Sequence, residues 1–210
     1  MTTGKKELRY FEGSEVRALG DEKEMKVSGH AAMFEKLSEV MGFMSKFQEK
    51  IAKGAFVESL NGDVRAFSNH NTDLILARTT NGSLKLAEDD QGLAFDMTLP
   101  DTQIGRDTYQ NIRSGLVTGV SFGFRVESET WEKGKDGKPN IRTLNKIKLF
   151  EISPTPFPAY PQTDVAARSI DEVFKEQEER WAKEKVDVVA SVPLHLYELE
   201  LNSLLLDSQK

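Results

Sequence analysis

Two runs of alternating residues limit what this chain can fold into. In Leu93-Ala-Phe-Asp-Met-Thr-Leu99 and Val120-Ser-Phe-Gly-Phe-Arg-Val126 every second side chain is apolar, the period of a strand with one face in a core and the other turned away from it. Other short apolar runs surround them: Met25–Phe34, Val64–Asn69, Leu74–Arg78, Leu84–Leu86, a long Leu116–Trp131 and a returning Ile141–Ile152. Asn-Thr-Asp, Asn-Gly-Ser and Asp-Asp-Gln-Gly turns separate the middle ones, and the polar tip Glu132-Lys-Gly-Lys-Asp-Gly-Lys-Pro139 joins the last two. Many short strands with few helices predict a mainly β fold with peripheral helices, a barrel or sandwich, in which residues 64–99 supply meander strands of one sheet.

Helical spacing is predicted in four places. Ile104–Ser114, closed by Gly115, turns Ile104, Tyr109 and Ile112 inward. Phe43–Leu60, interrupted at Gly54, has the spacing of short helices at Phe47 and Ile51 and at Phe56 and Leu60. Ser169-Ile-Asp-Glu172 is a capping-box pattern opening a helix with Ile170, Val173, Phe174 and Trp181, and Leu194–Leu206 carries a leucine-rich face. Prolines from Pro154 to Pro161 favour an extended covering segment. At 210 residues the chain holds one domain of typical size plus extensions. Residues 1–24 are expected to be a mobile arm with one early strand around Glu7–Phe11, residues 25–168 the folded domain, and residues 169–210 a helical tail.

A net charge of −6 arises from 34 acids and 28 bases that are interspersed, with no basic stripe to follow a phosphate backbone, so no nucleic-acid partner is expected. No cysteine is present. That removes thiol nucleophiles and thiolate metal sites, so covalent chemistry would need an oxygen or a nitrogen. No stretch approaches the ~18 apolar residues of a membrane span, and a cytoplasmic protein with no membrane partner is expected. The three histidines, His30, His70 and His195, are too scattered for a metal site, and no cofactor is expected.

Three residues have the chemistry of a nucleophile, its base and an orienting acid. Ser121 opposes Val120, Phe122 and Phe124 in strand parity and lies between Gly119 and Gly123, which clear space for an approaching backbone; the same pattern also fits a small residue that admits a neighbouring layer. His70, in Ser68-Asn-His-Asn-Thr-Asp73, stands at the end of a strand and the mouth of a turn, a place for a general base or for a solvated loop histidine. Glu151 shares parity with Ile147 and Leu149, so its carboxylate is expected to be partly buried and to need a partner, an imidazole or an edge lysine.

Gly29-His-Ala-Ala-Met-Phe34, Gly54-Ala-Phe56, Asn69-His-Asn71, Gly92-Leu93, Ser121-Phe-Gly-Phe124, Glu151-Ile-Ser153 and Pro158-Ala-Tyr-Pro161 occur in the order found in the prohead, or capsid maturation, proteases of HK97-like tailed phages. The resemblance covers about residues 25–168. It implies a serine endopeptidase with a herpesvirus-assemblin-like β-barrel, housed inside the immature phage capsid in the host cytoplasm. Its implied substrates are the scaffolding segment of the major capsid protein and the protease itself. Carried over, Ser121 is the nucleophile, His70 the base and Glu151 the group orienting the imidazole, with Asp73 an alternative third member. Arg65, Arg125, Arg168 or Gly-flanked amides are the candidate oxyanion donors. The tail after Ser169 is expected to dock on the capsid protein's scaffolding segment or on a second copy. Two rivals remain at this stage, a non-proteolytic serine esterase and a non-catalytic assembly factor. Gly119-Val-Ser-Phe-Gly123 fits the bare nucleophile-elbow pattern, but it runs on into a strand, which speaks against an α/β-hydrolase.

Overall fold

In a computed structural model, the structure describes residues 6–20, 23–42, 46–156 and 173–183. The hairpin predicted around the polar tip sets the frame: β9 (Gly119–Glu132) and β10 (Asn140–Thr155) pair antiparallel along their length. The other edge of β10 takes two parallel strands in succession, β4 (Phe47–Ile51) against Asn140–Leu144 and β5 (Arg65–Ser68) against Glu151 and Ile152. β6 (Asn71–Arg78) pairs with β5, and β1 (Glu7–Arg9) lies along the outer edge of β9. This curled six-stranded sheet has the order β1-β9-β10-β5-β6 with β4 beside β10. A second sheet orders β2 (Glu15–Leu19), β3 (Lys26–Met33), β8 (Gly92–Thr98) and β7 (Leu84–Glu88) as β2-β3-β8-β7.

The apolar faces of both sheets share one core. Val27, Ala31, Leu93, Phe95 and Met97 from the smaller sheet meet Phe122, Phe124, Leu144, Ile147 and Ile152 from the larger. Phe122 is its hub, stacked on Phe11 and met edge-on by Phe56. The alternation that predicted strands is therefore the alternation that buries them, each large side chain contributing about 2–3 kcal/mol of transfer free energy. α1 (Gln103–Arg113) begins at the Thr102 side chain, which accepts from Gly105 N at 3.3 Å, and buries Tyr109 and Ile112 as predicted. The mainly β expectation with few helices holds.

The structure corrects several local readings. Residues 64–99 do not form a meander of one sheet: β5 and β6 belong to the larger sheet, β7 and β8 to the smaller. The chain changes sheets at the turn after Arg78, where Ser83 Oγ accepts from Arg78 N and Ser83 O accepts from Thr98 N. The helix predicted from Phe47 to Ile51 is β4. Its buried positions are Phe47, Glu49 and Ile51, a period of two that an inward-facing glutamate hides from a hydrophobicity pattern. The stretch around Ala55–Leu60 is a succession of tight turns rather than a helix, with Ser59 N and Leu60 N both donating to Phe56 O.

The boundary expected near residue 25 falls inside the sheets. Glu7–Arg9 and Glu15–Leu19 are strands, and Phe11 and Val16 enter the core. Two of the charges that suggested an arm, Glu7 and Arg9, are buried: Arg9 donates to Glu49 (2.6 Å) and Glu7 (2.6 Å), and Arg142 also donates to Glu7 and Glu49. A second helix, α2, residues 173–183, stacks Phe174 on Phe47 and sets Trp181 edge-on to Trp131. The capping box at Ser169, the proline segment from Phe157 on and Leu194–Leu206 lie outside the described residues, as do Arg168 and His195.

Candidate active site

The site face of the β9–β10 hairpin is made by a register irregularity. Leu149 pairs with Phe124 on the core side, but Glu151 pairs with Gly123, so two steps on β10 match one on β9. This bulge breaks the parity that Glu151 was expected to share with Ile147 and Leu149. It turns the carboxylate to the opposite face, in line with Ser153 and, across the strand, with Gly123 and Ser121. Gly123 leaves the room. A Cβ there would lie 2.7 Å from Glu151 Cγ and Oε1 and 2.9 Å from Lys6 Cε, so the space expected for a neighbouring backbone is filled by two side chains.

Glu151 is 2% exposed and fully engaged. Lys6 Nζ donates to Oε1 at 2.9 Å, Ser153 Oγ donates to Oε2 at 2.7 Å, and His70 Nδ1 lies 3.2 Å from the same Oε2. Burial pushes this carboxyl up, but the hydrogen bonds from His70, Lys6 and Ser153 and the charge on His70 outweigh it and hold the group down at about 2. Ionised at neutral pH, it can only accept, so the proton of this contact is on His70 Nδ1, and in the neutral ring the lone pair is on Nε2. Nε2 is buried and has no hydrogen-bond partner among the described residues.

A tight turn carries the imidazole. Ser68 pairs with Asn71, and the two residues between them, Asn69 and His70, have φ of 49° and 61°, the positive values of a type I′ hairpin. The turn was expected at Asn71–Asp73, which instead begin β6. Asn69 N donates to Pro154 O (3.1 Å) and Thr155 Oγ1 donates to Asn69 Oδ1 (2.8 Å), which fastens the turn over the end of β10 and its Glu151. A left-handed histidine costs about 1–3 kcal/mol, strain that the surrounding bonds must hold. Asp73 is exposed in β6, and its backbone N–H donates to Asn71 Oδ1; the carboxylate on His70 is Glu151.

Ser121 is fully buried opposite Ser153. Its hydroxyl does not meet His70: Oγ donates to the carbonyl of Arg9 in β1 at 2.9 Å. The structure thus joins His70 to Glu151 and sets Ser121 on the same face with its proton directed elsewhere. Three participants escaped the sequence reading. Ser153 was legible two residues after Glu151, on the same strand face; Lys6 and the Arg9 carbonyl had no signal, because only the fold brings the N-terminal segment to β9. Of the oxyanion candidates, Arg65 pairs with Asp63 at 3.0 Å and Arg125 approaches Glu127 at 3.8 Å. His30 Nε2 lies 2.8 Å from an Asp89 carboxylate oxygen, and no group of three metal-ligating side chains occurs among the described residues.

A mainly β chain that brings a histidine from the β5–β6 turn onto an ionised carboxylate of β10, on the sheet face that also carries a serine of β9, has the residue types of the serine-hydrolase class. Residues 12–176 match the caudovirus prohead serine protease family, and the chain belongs to that family. It is thereby a serine peptidase of the capsid-maturation type, working in the phage capsid. The match crosses both expected boundaries, near residues 25 and 168, and stops short of β1. No curated protein and no solved structure matches the chain. No helix among the described residues is long and apolar enough to cross a membrane.

Proposed function

We propose that this protein cuts the scaffolding segment of the phage major capsid protein, and itself, during prohead maturation, with Ser121 as nucleophile, His70 as general base and Glu151 as the group that orients the imidazole. The observation that carries the reading is the Glu151–His70 hydrogen bond behind a buried, unpartnered Nε2, on the face that holds Ser121. A base whose tautomer is fixed on one nitrogen presents its lone pair on the other.

In the reaction, Nε2 takes the Ser121 proton as Oγ attacks the scissile carbonyl carbon, and Glu151 stabilises the imidazolium that forms. Collapse of the tetrahedral adduct breaks the C–N bond, and His70 returns the proton to the leaving amine. Water then repeats the sequence on the acyl-enzyme, releasing the acid and restoring Ser121. All this needs Ser121 Oγ to turn from the Arg9 carbonyl to within about 2.6–3.2 Å of Nε2.

The test is coexpression with the cognate major capsid protein, wild type against Ser121→Ala, read by intact mass. Wild type is expected to shorten the capsid protein and its own chain, and Ser121→Ala to leave both whole. Cleavage by Ser121→Ala overturns the assignment. Hydrolysis of small esters with both chains left whole by wild type favours an esterase, and no hydrolysis of any kind favours an assembly factor.

A further inference from the structure

Beside Ser121 the edge of β9 is already occupied. β1 runs antiparallel along it, with Glu7 opposite Phe124, Leu8 opposite Gly123 and Arg9 opposite Phe122. A peptide carbonyl of this strand, that of Arg9, accepts the hydrogen bond of the Ser121 hydroxyl, and the Lys6 ammonium donates to the Glu151 oxygen that His70 does not use. The Nε2 that would receive the Ser121 proton is left buried, with no hydrogen-bond partner among the described residues. An extended chain laid along β9 with a carbonyl against the nucleophile is the geometry of a substrate strand added to a sheet edge.

We propose that the β9 edge at Phe122–Phe124 is where an extended substrate peptide docks, and that β1 is its resident occupant, so that the chain is a latent peptidase until β1 is displaced. The proposal rests on Ser121 and His70 acting as above. Two further observations support it. The family match begins at residue 12, so β1 lies outside the part of the chain that defines the family, as a regulatory addition would. β1 is also held in a way that permits exchange. Its Glu7 and Arg9 enter the buried ion cluster as one acid and one base, and their departure leaves Glu49 still paired with Arg142 and Arg142 with Glu129. Removal of a single partner would strand a buried charge, whereas removal of the strand withdraws both signs together. An incoming peptide with the same acid–base spacing could refill the cluster.

The test compares the full chain with three variants: a truncation beginning at Tyr10, which keeps Phe11, and the full-length substitutions Lys6→Ala and Leu8→Asp. Leu8→Asp sets a carboxylate on the face of Glu151 without shortening the chain. The readout is the rate at which a fluorophosphonate labels Ser121. Each loosened variant that melts cooperatively is expected to label about tenfold faster or more, the factor for a site free less than a tenth of the time. A peptide spanning Gly4–Glu12 should slow labelling of the truncated chain, and a scrambled one should not. The same peptide, fluorescently tagged, should bind the truncated chain carrying Ser121→Ala, which reads docking without chemistry. Equal labelling of the full chain and all variants overturns latency while leaving the catalytic assignment in place. Labelling in no variant, with the tagged peptide still bound, overturns the reading of Ser121 instead. Failure of the peptide to bind overturns the docking edge.

Discussion

Glu151 reaches across β9 through the place where Gly123 has no side chain, and a methyl group at Gly123 would lie 2.7 Å from its Cγ and Oε1. The carboxylate bonded to His70 is therefore positioned by a glycine two residues from Ser121 on the same strand. Gly123→Ala is expected to push Glu151 off His70 and lower kcat by about 10²-fold or more, at a stability cost of roughly 1–3 kcal/mol from overpacking. Turnover on a capsid-derived peptide together with a thermal melt checks both, and wild-type kcat would show that Glu151 tolerates the displacement.

The turn at His70 separates chemistry from stability. Both His70→Gly and His70→Ala remove the imidazole and should abolish turnover. Glycine alone is at ease at the observed φ of 61°, so His70→Gly should be more stable than His70→Ala by about 1 kcal/mol, a difference of roughly 2–4 °C in Tm. Equal melting temperatures would mean that the turn relaxes when the ring is removed.

Glu151→Gln and Asp73→Asn discriminate the third member. A neutral amide would not hold an imidazolium as the Glu151 carboxylate does, so Glu151→Gln should cost about 10²–10⁴ in kcat, less than loss of Ser121 or His70. Asp73 is exposed, and Asp73→Asn should stay within a few-fold of wild type. The reverse ranking in a single-substrate assay would move the role to Asp73.

β8 and the first half of β9 were readable because their large apolar side chains recur at every second position; in β8 burial follows that period, whereas in β9 the small Ser121 and Gly123 between them are buried as well. Elsewhere one residue spoiled the pattern. Glu49 faces inward in β4 because two arginines from distant strands neutralise it, information that no local window holds. The face of Glu151 depends on the extra residue between Leu149 and Glu151, and a bulge is defined only against its partner strand. The candidate residues themselves were legible, since their types are scarce and their local settings unusual. Their present partners were not: Lys6 meets Glu151 and Arg9 meets Ser121 across more than a hundred residues of sequence.

Acid should unfasten the buried ion cluster. Burial pushes the Glu49 carboxyl up, but Arg9 and Arg142 outweigh it and hold it down at about 2, from an ordinary 4.5. A carboxyl depressed in the folded state adds stability that is present above about 4.5 and lost as pH falls towards about 2, and Glu151 adds a parallel loss over the same window. Denaturant melts should therefore show stability falling steeply between pH 4.5 and 2. Glu49→Gln should be about 3–5 kcal/mol less stable at pH 7, because it strands buried arginine charge, and its acid slope should be shallower. An unchanged slope would place the acid sensitivity elsewhere.

The last prediction concerns where the folded unit ends. The expected division at residue 169 would treat everything beyond it as a docking tail, yet Phe174 is 5% exposed and stacks on Phe47, which is itself fully buried. Phe174→Ala should cost about 3 kcal/mol or more through the cavity beside Phe47 and Trp131, and should leave kcat near wild type at a temperature where the protein is folded, because that cluster contains none of Ser121, His70 and Glu151. Truncation after Ser169 should be at least as destabilising, while truncation after Lys183 should leave both Tm and peptide hydrolysis near wild type and thus isolate any docking role in residues 184–210. Thermal melts and turnover on the three proteins decide it: if truncation after Ser169 melts as wild type does, the stacking of Phe174 adds nothing, and the division at residue 169 stands.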